Sequence, residues 1–255
     1  MPQDPLLILG GGYTGKALFH RATAEGRQVW CTSRQPHEHL TDLPSQHRLL
    51  FDLCRPETWN SLPSPASIVW CFPAHPLELV QDFWLSKLQH PGRMIVLGST
   101  SAYPSDGTII NEQQRPNRKL PRVQGEEYLR KHGGAIILRL AGLYGPGRNV
   151  LDWIRKGKIR NTPRFVNLLH VEDAVGICLK ALDKAPNGST YLASDGLPRP
   201  WSEICTYAAT RWRIPVPPLT NAPDPGKRID NRKLLQELGY TFRFPDLYKA
   251  LDQLE

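Results

Sequence analysis

The stretch LGGGYTGKAL, residues 9–18, carries glycines at the spacing of two different phosphate-binding loops. Gly10, Gly12 and Gly15 form G-x-G-x-x-G, which is typical of dinucleotide loops. Gly10, Gly15 and Lys16 form most of G-x-x-x-x-G-K, which is typical of triphosphate loops. An alanine follows the lysine, where a triphosphate loop needs Ser or Thr to ligate Mg²⁺. The sequence therefore favours a dinucleotide loop that includes Tyr13 and Thr14, with Lys16 facing solvent on the helix that follows.

The end of the next predicted strand, CTSRQ, indicates which dinucleotide fits. Sites for NAD usually have Asp or Glu here, because a carboxylate binds the ribose hydroxyls. Ser33 and Arg34 stand there instead, and a hydroxyl and a guanidinium suit a 2′-phosphate. The predicted cofactor is therefore NADP, with NAD as the less favoured alternative. The simpler interpretation of Arg34 is a solvated surface residue.

These residues need a sheet and helices to position them. Apolar runs predict strands at 5–10, 27–34, 47–52, 67–72, 93–99, 135–140 and 189–194. Helices are predicted at 13–26, 75–90, 118–133, 149–158 and 171–185, with Pro121 interrupting the third of them. Continuous apolar strands that alternate with helices predict a doubly wound parallel sheet, the α/β fold of Rossmann-like dinucleotide-binding proteins.

A change of composition along the chain predicts a second, smaller lobe. The dinucleotide-binding core is placed at 1–145 and continued by 165–194. A small discontinuous substrate lobe is placed at 146–164 and 195–255, where Pro-rich loops separate two short helices.

Composition limits the class of protein. The 255 residues are 40% hydrophobic and 22% charged, as expected of a globular soluble chain. No apolar run approaches the ~20 residues of a membrane span, and the start, MPQDPLLILG, lacks the basic segment of a signal peptide. Five scattered cysteines without C-x-x-C predict reduced thiols in a cytoplasmic protein, with neither disulfides nor a metal site.

The net charge of +8 is spread along the chain without a recognition motif for nucleic acid. A basic cleft for an anionic small molecule explains it as well, and so does a basic surface without a partner. We expect a small-molecule substrate, which can be anionic, no nucleic acid or membrane partner, and a monomer or homodimer.

Several segments in order resemble one family over nearly the whole chain. They are LLFDL at 49–53, CFPA at 71–74, LGSTSAYPSDGTIINEQQRP at 97–116, RLAGLYGPGR at 139–148, NLLHVEDAV at 167–175 and KRIDNRKLLQELGY at 227–240. Together with the glycine loop they are similar to the NAD-dependent epimerase/dehydratase family, the extended branch of the short-chain dehydrogenases/reductases. The resemblance implies that Asp52 lies beside the adenine, that Pro73 and Ala74 pass the cofactor ribose, and that Asp173 caps or braces a helix.

The sequence departs from that family where its chemistry is done. By the spacing to Glu126, the positions of the family's Tyr-x-x-x-Lys pair hold Arg118 and Arg122. Arginine stays protonated in proteins, so neither residue can act as a general base near neutral pH. Thr100 and Ser101 replace the family dehydratases' Asp-Glu, and Gly142 replaces an Asn that often serves nucleotide-sugar substrates. These changes argue against sugar-nucleotide dehydration.

The remaining candidates follow from the resemblance and from residue chemistry. Ser99, Tyr103 and Arg122 are the predicted catalytic residues. The predicted substrate-binding residues are Thr100, Ser101, Arg118, Tyr144 and Arg228. Each also has a structural alternative, such as a strand-end hydroxyl or a packed tyrosine, and His75 and His170 are weaker candidates for a base.

Two functions remain open from the sequence. The first is an NADP-dependent oxidoreductase or epimerase-like enzyme, acting on a small carbonyl or sugar-type substrate without Tyr-x-x-x-Lys. The second is a non-catalytic NADP(H)-binding protein with a regulatory or redox-sensing role.

Overall fold

A computed structural model describes residues 5–64, 67–88 and 92–255. Its helices are α1 Tyr13–Ala24, α2 Pro36–His39, α3 Leu77–Phe83, α4 Pro121–Gly133, α5 Val150–Arg155, α6 Val171–Lys184, α7 Trp201–Trp212, α8 Arg232–Leu238 and α9 Leu247–Asp252. Its strands are β1 Leu6–Leu9, β2 Val29–Ser33, β3 Arg48–Leu50, β4 Ser67–Trp70, β5 Arg93–Ser99, β6 Asp106–Ile110, β7 Ile136–Leu140, β8 Gly142–Tyr144, β9 Phe165–Val166, β10 Leu168–His170, β11 Thr190–Ala193, β12 Arg199–Pro200 and β13 Gly226–Ile229.

A seven-stranded parallel sheet forms the centre of the fold, with strand order β11-β7-β5-β4-β1-β2-β3. The central strands β1 and β4 are buried along their whole length, because their residues are apolar on both faces. The order reverses beside β1, the first strand of the chain, and in such sheets ligands bind at the carboxyl ends of the strands near the reversal. The predicted doubly wound α/β fold is confirmed.

The chain divides into two compact units. The first comprises Met1–Ser99, Pro116–Arg139 and Val175–Tyr191, and the second comprises Thr100–Arg115, Leu140–Ala174 and Leu192–Glu255. The second unit contains the whole lobe expected from the sequence and further segments beside it. The reason lies in strand pairing, which composition does not reveal: β6 pairs with β13, and β8 with β10.

Each unit has its own apolar core. In the first unit, aromatic residues cluster around Trp70 and Phe83, whose ring centroids are 5.8 Å apart. In the second unit, Tyr144 packs with apolar residues of α5, α7 and α9, among them Leu151, Ile204 and Leu251.

Two details of the predicted helices were wrong. Pro121 does not interrupt a helix but begins α4, because the first helical position needs no backbone N–H donor and favours the fixed φ of proline. Arg118 consequently lies before the helix.

Beyond Asp195 the described chain has three helices, α7, α8 and α9, where two were expected. The predicted helix 75–90 begins at Leu77 and continues past α3 as a π-helix over Trp84–Leu88, while residues 89–90 lie outside the described part.

No helix of the described residues is long and apolar enough to cross a membrane. Residues 1–4, which belong to the start considered above as a signal segment, lie outside the described part. The five cysteines are free thiols, and only that of Cys54 is exposed.

Candidate dinucleotide site

The glycine loop joins β1 to α1 and has a shape that larger residues would not permit. Gly10 has a φ of +100°, which residues with a side chain rarely adopt. A Cβ on Gly15 would lie 2.1 Å from the carbonyl oxygen of Gly10, so α1 packs directly against the loop. A Cβ on Gly12 would meet no described atom within 4 Å. The N-terminus of α1 therefore begins beside open space, where its backbone N–H groups can bind an anion.

A cavity of about 630 Å³ lies beside this loop. Six of the residues predicted to bind the cofactor line it, namely Gly10, Gly12, Ser33, Arg34, Asp52 and Pro73. His75, one of the weaker base candidates, also lines it, together with residues that the sequence analysis did not select: Gly11, Thr32, His39, Phe51, Leu53, Cys54 and Phe72. Volumes of ~300–1,000 Å³ are usual for small-ligand sites.

The other four predicted cofactor residues do not line this cavity. Tyr13 and Thr14 are half-buried in the first turn of α1. Gly15 is buried behind the loop. Ala74 is buried against α4, where a Cβ on Gly125 would lie 2.0 Å from the Ala74 carbonyl oxygen.

Lys16, the second half of the triphosphate-like pattern, is engaged elsewhere. Its ammonium lies 2.6 Å from a carboxylate oxygen of Asp42, and about a third of its side chain is exposed. Lys16 is not among the residues of the cavity wall. This arrangement agrees with the dinucleotide interpretation of the loop.

The carboxyl end of β2 carries a hydroxyl and a cation at the cavity. The buried Thr32 accepts a hydrogen bond from the amide of Gly10 (2.9 Å), which ties the loop to β2. Ser33 is half-buried and Arg34 is exposed. No hydrogen bond or ion pair engages the Arg34 guanidinium within residues 5–64, 67–88 and 92–255. This end of β2 therefore presents a hydroxyl and a cation that can bind an anionic group.

Asp52 is held in a turn after β3. Its side chain accepts a hydrogen bond from the amide of Cys54 (3.0 Å), and its carbonyl oxygen accepts one from the indole of Trp59 (3.0 Å). Its amide in turn donates to the hydroxyl of Thr58 (3.0 Å). Asp52 is half-buried and lines the cavity.

Arg118 and Arg122, which the resemblance places at the positions of the family's Tyr-Lys pair, differ in exposure. Arg118 is exposed and precedes α4, whereas Arg122 is half-buried in the first turn of α4. The charge of Arg122 reaches Glu126 one turn later. Desolvation nevertheless raises the pKa of Glu126 above its usual range, against the opposing charges of Arg139 and Arg122.

Glu126 belongs to a buried ion pair behind β5. Its carboxylate pairs with the guanidinium of Arg139, and both side chains are almost completely buried. A Cβ on Gly98 would lie 3.0 Å from the carboxylate, so the pair packs against the strand that ends at Ser99. Ser99 is half-buried at that strand end. The ion pair is a structural support beneath the candidate residue.

In the second unit, a lysine that the sequence analysis did not select organises the segment after β5. The buried Lys227 of β13 donates from Nζ to the carbonyl oxygens of Thr100 (3.0 Å) and Tyr103 (2.5 Å). Thr100 is buried, Ser101 is exposed, and Tyr103 is only 5% exposed. Tyr103 is therefore almost completely buried.

Three other candidates of the second unit have structural surroundings. Tyr144 is fully buried, so its phenol offers no surface to a substrate here, and burial raises its pKa well above the usual range. His170 stacks on Phe244 with ring centroids 3.7 Å apart, and desolvation lowers its pKa to about 4. The exposed Arg228 donates to the carbonyl oxygen of Gly107 (2.9 Å).

The resemblance implied a cap or brace at Asp173, and the structure shows a brace. The fully buried carboxylate accepts hydrogen bonds from the Tyr240 hydroxyl (2.9 Å) and from the amides of Arg243 (2.7 Å) and Phe244 (3.0 Å). It thereby fixes the segment after α8 to the start of α6.

No family model matches the sequence. Protein YeeZ of Escherichia coli K12 is 31% identical over 179 residues, which are 67% of this chain and 65% of YeeZ. The match thus spans less than two thirds of the length of that relative.

Solved structures cover nearly the whole chain. A candidate NAD-dependent epimerase/dehydratase from Methylobacillus flagellatus has 26% identity and a TM-score of 0.81, over 98% of this chain and 97% of its own. RMD from Pseudomonas aeruginosa, complexed with NADPH, has 17% identity and a TM-score of 0.73, over 99% and 97%. The Bordetella bronchiseptica enzyme WbmH, in complex with NAD⁺, has 17% identity and a TM-score of 0.75, over 97% of this chain and 95% of its own. At 17% identity, the likeness to RMD and to WbmH shows the fold alone.

The parallel sheet, its glycine loop and the cavity beside that loop define a Rossmann-like α/β protein. The chain has the same fold as solved NAD-dependent epimerase/dehydratase and short-chain dehydrogenase/reductase proteins, among which the Methylobacillus flagellatus protein shares 26% of its sequence. These similarities support the family resemblance drawn from the sequence.

Proposed function

We propose that this protein is an NADP-dependent oxidoreductase or epimerase-like enzyme that acts on a small carbonyl or sugar-type compound. The observation that carries the proposal is the cavity wall, in which the glycine loop meets Ser33 and Arg34 at the end of β2. An open helix N-terminus suits the pyrophosphate, and a guanidinium with a hydroxyl suits the 2′-phosphate. Solved neighbours with bound NADPH or NAD⁺ support a nicotinamide dinucleotide in general.

The residues of the chain divide the work of holding this cofactor. Gly10 and Gly12 let the pyrophosphate approach the backbone, and Asp52 accepts hydrogen bonds on the adenine side. Pro73 closes the wall after β4. When bound, the dinucleotide supplies a carbon that accepts or donates hydride.

The chain itself must bind the substrate and handle the proton that accompanies a hydride. Ser99 is the proposed hydrogen-bond partner of the substrate carbonyl or hydroxyl, because it ends β5 on the carboxyl side of the sheet. Arg122 binds anionic oxygens and moves no proton. Tyr103 remains a candidate acid, although the residue is almost completely buried.

The cofactor assignment is tested by direct binding of NADPH and NADH to wild type and to Arg34→Ala. Loss of a charge-assisted hydrogen bond costs about 1.5–3 kcal/mol, so NADPH affinity should fall by roughly one to two orders of magnitude. The matched control is Arg55→Ala: Arg55 is exposed, pairs with Glu57 and does not line the cavity. Equal affinity of wild type for both dinucleotides, or an unchanged preference in Arg34→Ala, would contradict the assignment.

A second candidate function is NADP(H) binding without turnover, in a regulatory or redox-sensing role. Arginines at both positions of the Tyr-Lys pair favour it, because arginine cannot act as a general acid or base near neutrality. Single-turnover mixing of the NADPH-loaded protein with a panel of aldehydes, ketones and oxo acids separates the two functions. Oxidation of bound NADPH by any of them supports the enzyme, whereas tight binding without oxidation supports the binding protein.

A further inference from the structure

The cavity wall at the end of β2 holds a third polar side chain beside Ser33 and Arg34. His39, the last residue of α2, lines the same cavity. Its Nδ1 lies 3.1 Å from the hydroxyl oxygen of Ser33. No sequence pattern marks His39, because it lies five residues after Arg34.

The short helix that carries His39 is anchored to the glycine loop. Pro36 and Leu40, at its two ends, are buried. A Cβ on Gly11 would lie 2.3 Å from a methyl carbon of Leu40 and 2.9 Å from the sulfur of Cys31, so Leu40 fills the space beside the loop. Because Leu40 is wedged there, the position of His39 is set by the same packing that shapes the cofactor loop.

The hydrogen bonds of Ser33 give His39 a chemical role. The Ser33 hydroxyl accepts a hydrogen bond from the amide of Gln35 (3.1 Å). A hydroxyl has two acceptor sites and one proton. If Nδ1–H of His39 occupies the second acceptor site, the Ser33 proton is directed away from both partners and is left for a ligand. A phosphate monoester at neutral pH is an acceptor of hydrogen bonds only, and it requires donors in this arrangement.

We propose that His39 is a specificity-determining residue of the cofactor site. It donates to Ser33 and so orients the Ser33 hydroxyl, together with the Arg34 guanidinium, as donors to the 2′-phosphate of NADP(H). The inference rests on the proposed NADP preference and adds a residue to it.

The test is direct binding, by titration calorimetry, of NADPH, NADH, adenosine 2′,5′-bisphosphate and AMP to the intact protein. His39→Ala should weaken NADPH and the bisphosphate about tenfold, and NADH and AMP less than twofold. His39→Asn, whose amide nitrogen takes the place of Nδ1, should retain most of the affinity. The matched control is His37→Ala, since His37 is exposed on the same helix but outside the cavity wall, and it should change nothing.

A double-mutant cycle tests whether His39 acts through Ser33. In a Ser33→Ala background, His39→Ala should change NADPH affinity less than twofold, because the oriented hydroxyl is already gone. An undiminished tenfold effect in that background would overturn the relay from His39 to Ser33.

The remaining outcomes separate this inference from the proposed function. If wild type binds NADH as tightly as NADPH, the NADP preference fails, and the inference fails with it. If wild type prefers NADPH and His39→Ala keeps the full preference, only the inference is overturned. Equal weakening of NADPH and NADH in His39→Ala would show a role in shaping the loop and would also overturn it.

Discussion

Asp173 offers the sharpest test of how the second unit is held together. Its buried carboxylate accepts three hydrogen bonds, two on one oxygen and one on the other. Asp173→Asn keeps the size and shape of the side chain but replaces one oxygen by an NH₂ group, which cannot accept. Whichever way the amide turns, at least one backbone N–H that donated to the carboxylate then faces another donor.

The expected loss follows from the hydrogen bonds that disappear. A hydrogen bond to a charged group contributes about 1.5–3 kcal/mol, and an unsatisfied buried donor costs about 1–3 kcal/mol. With the NH₂ toward Phe244, the Phe244 amide loses its acceptor; with the NH₂ toward Tyr240 and Arg243, the Arg243 amide loses its acceptor, whereas the Tyr240 hydroxyl can accept from the NH₂. Either arrangement leaves one buried backbone donor unsatisfied, so Asp173→Asn should lower the free energy of unfolding by about 2–4 kcal/mol.

Urea unfolding followed by tryptophan fluorescence measures this loss. The control is Tyr240→Phe, which removes one bond from a half-exposed hydroxyl and leaves both backbone amides satisfied, so it should cost about 1 kcal/mol. A loss under about 0.5 kcal/mol in Asp173→Asn would refute the reasoning, since that is the scale of an ordinary surface substitution. An equal loss in both variants would also refute it, because the backbone amides would then contribute nothing.

Three further predictions concern the glycine loop, His170 and the substrate. Gly15→Ala should lower stability by at least about 1–3 kcal/mol and weaken dinucleotide binding, because the new Cβ meets a backbone carbonyl oxygen, whereas Gly12→Ala should weaken binding in calorimetry with unchanged stability. The pKa of His170 is lowered to about 4 in the folded protein, so between pH 6.5 and 4 the unfolded chain binds more protons than the folded one. The contribution of His170 to the free energy of unfolding is therefore fully present above pH ~6.5 and is lost as the pH falls toward 4. In urea titrations, the wild type should lose about 2 kcal/mol more stability between pH 7 and 5 than His170→Gln does. Because Thr100 and Ser101 stand where the resemblance expects Asp-Glu, and Gly142 where it expects Asn, common UDP- and dTDP-sugars should not be turned over. A kcat on the order of 1–10³ s⁻¹ in a coupled assay would contradict this.

The fold could be predicted from the sequence because its signals are local. Each buried strand is a continuous apolar run, and the glycine loop follows the first of them directly. The strand-end residues Ser33 and Arg34 could be placed for the same reason, since position after a strand determines where a side chain lies in this fold. Pro121 was ambiguous, because the same residue can interrupt a helix or begin one.

The parts that could not be predicted depend on contacts between distant residues. Lys227 donates to carbonyl oxygens that are 124 and 127 positions away, and although it begins the family-like segment 227–240, nothing in that segment indicates these partners. The strand pairs β6–β13 and β8–β10, which define the second unit, likewise join short segments without strong periodicity. Backbone pairing over such separations leaves no pattern in a single sequence.

The sequence contains no Tyr-x-x-x-Lys motif, and this absence limits the chemistry of the proposed enzyme. Hydride transfer to a carbonyl needs a proton for the developing alkoxide, and neither Arg118 nor Arg122 can release one near neutral pH. A guanidinium can still stabilise the alkoxide charge, and the proton would then come from water hydrogen-bonded to Ser99. The rate of such an enzyme would rise as the pH falls, and its pH–rate profile would lack the inflection of a titrating tyrosine. A binding protein would show the same dinucleotide affinity and no rate at all, so the pH profile of single-turnover NADPH oxidation distinguishes the mechanism as well as the function.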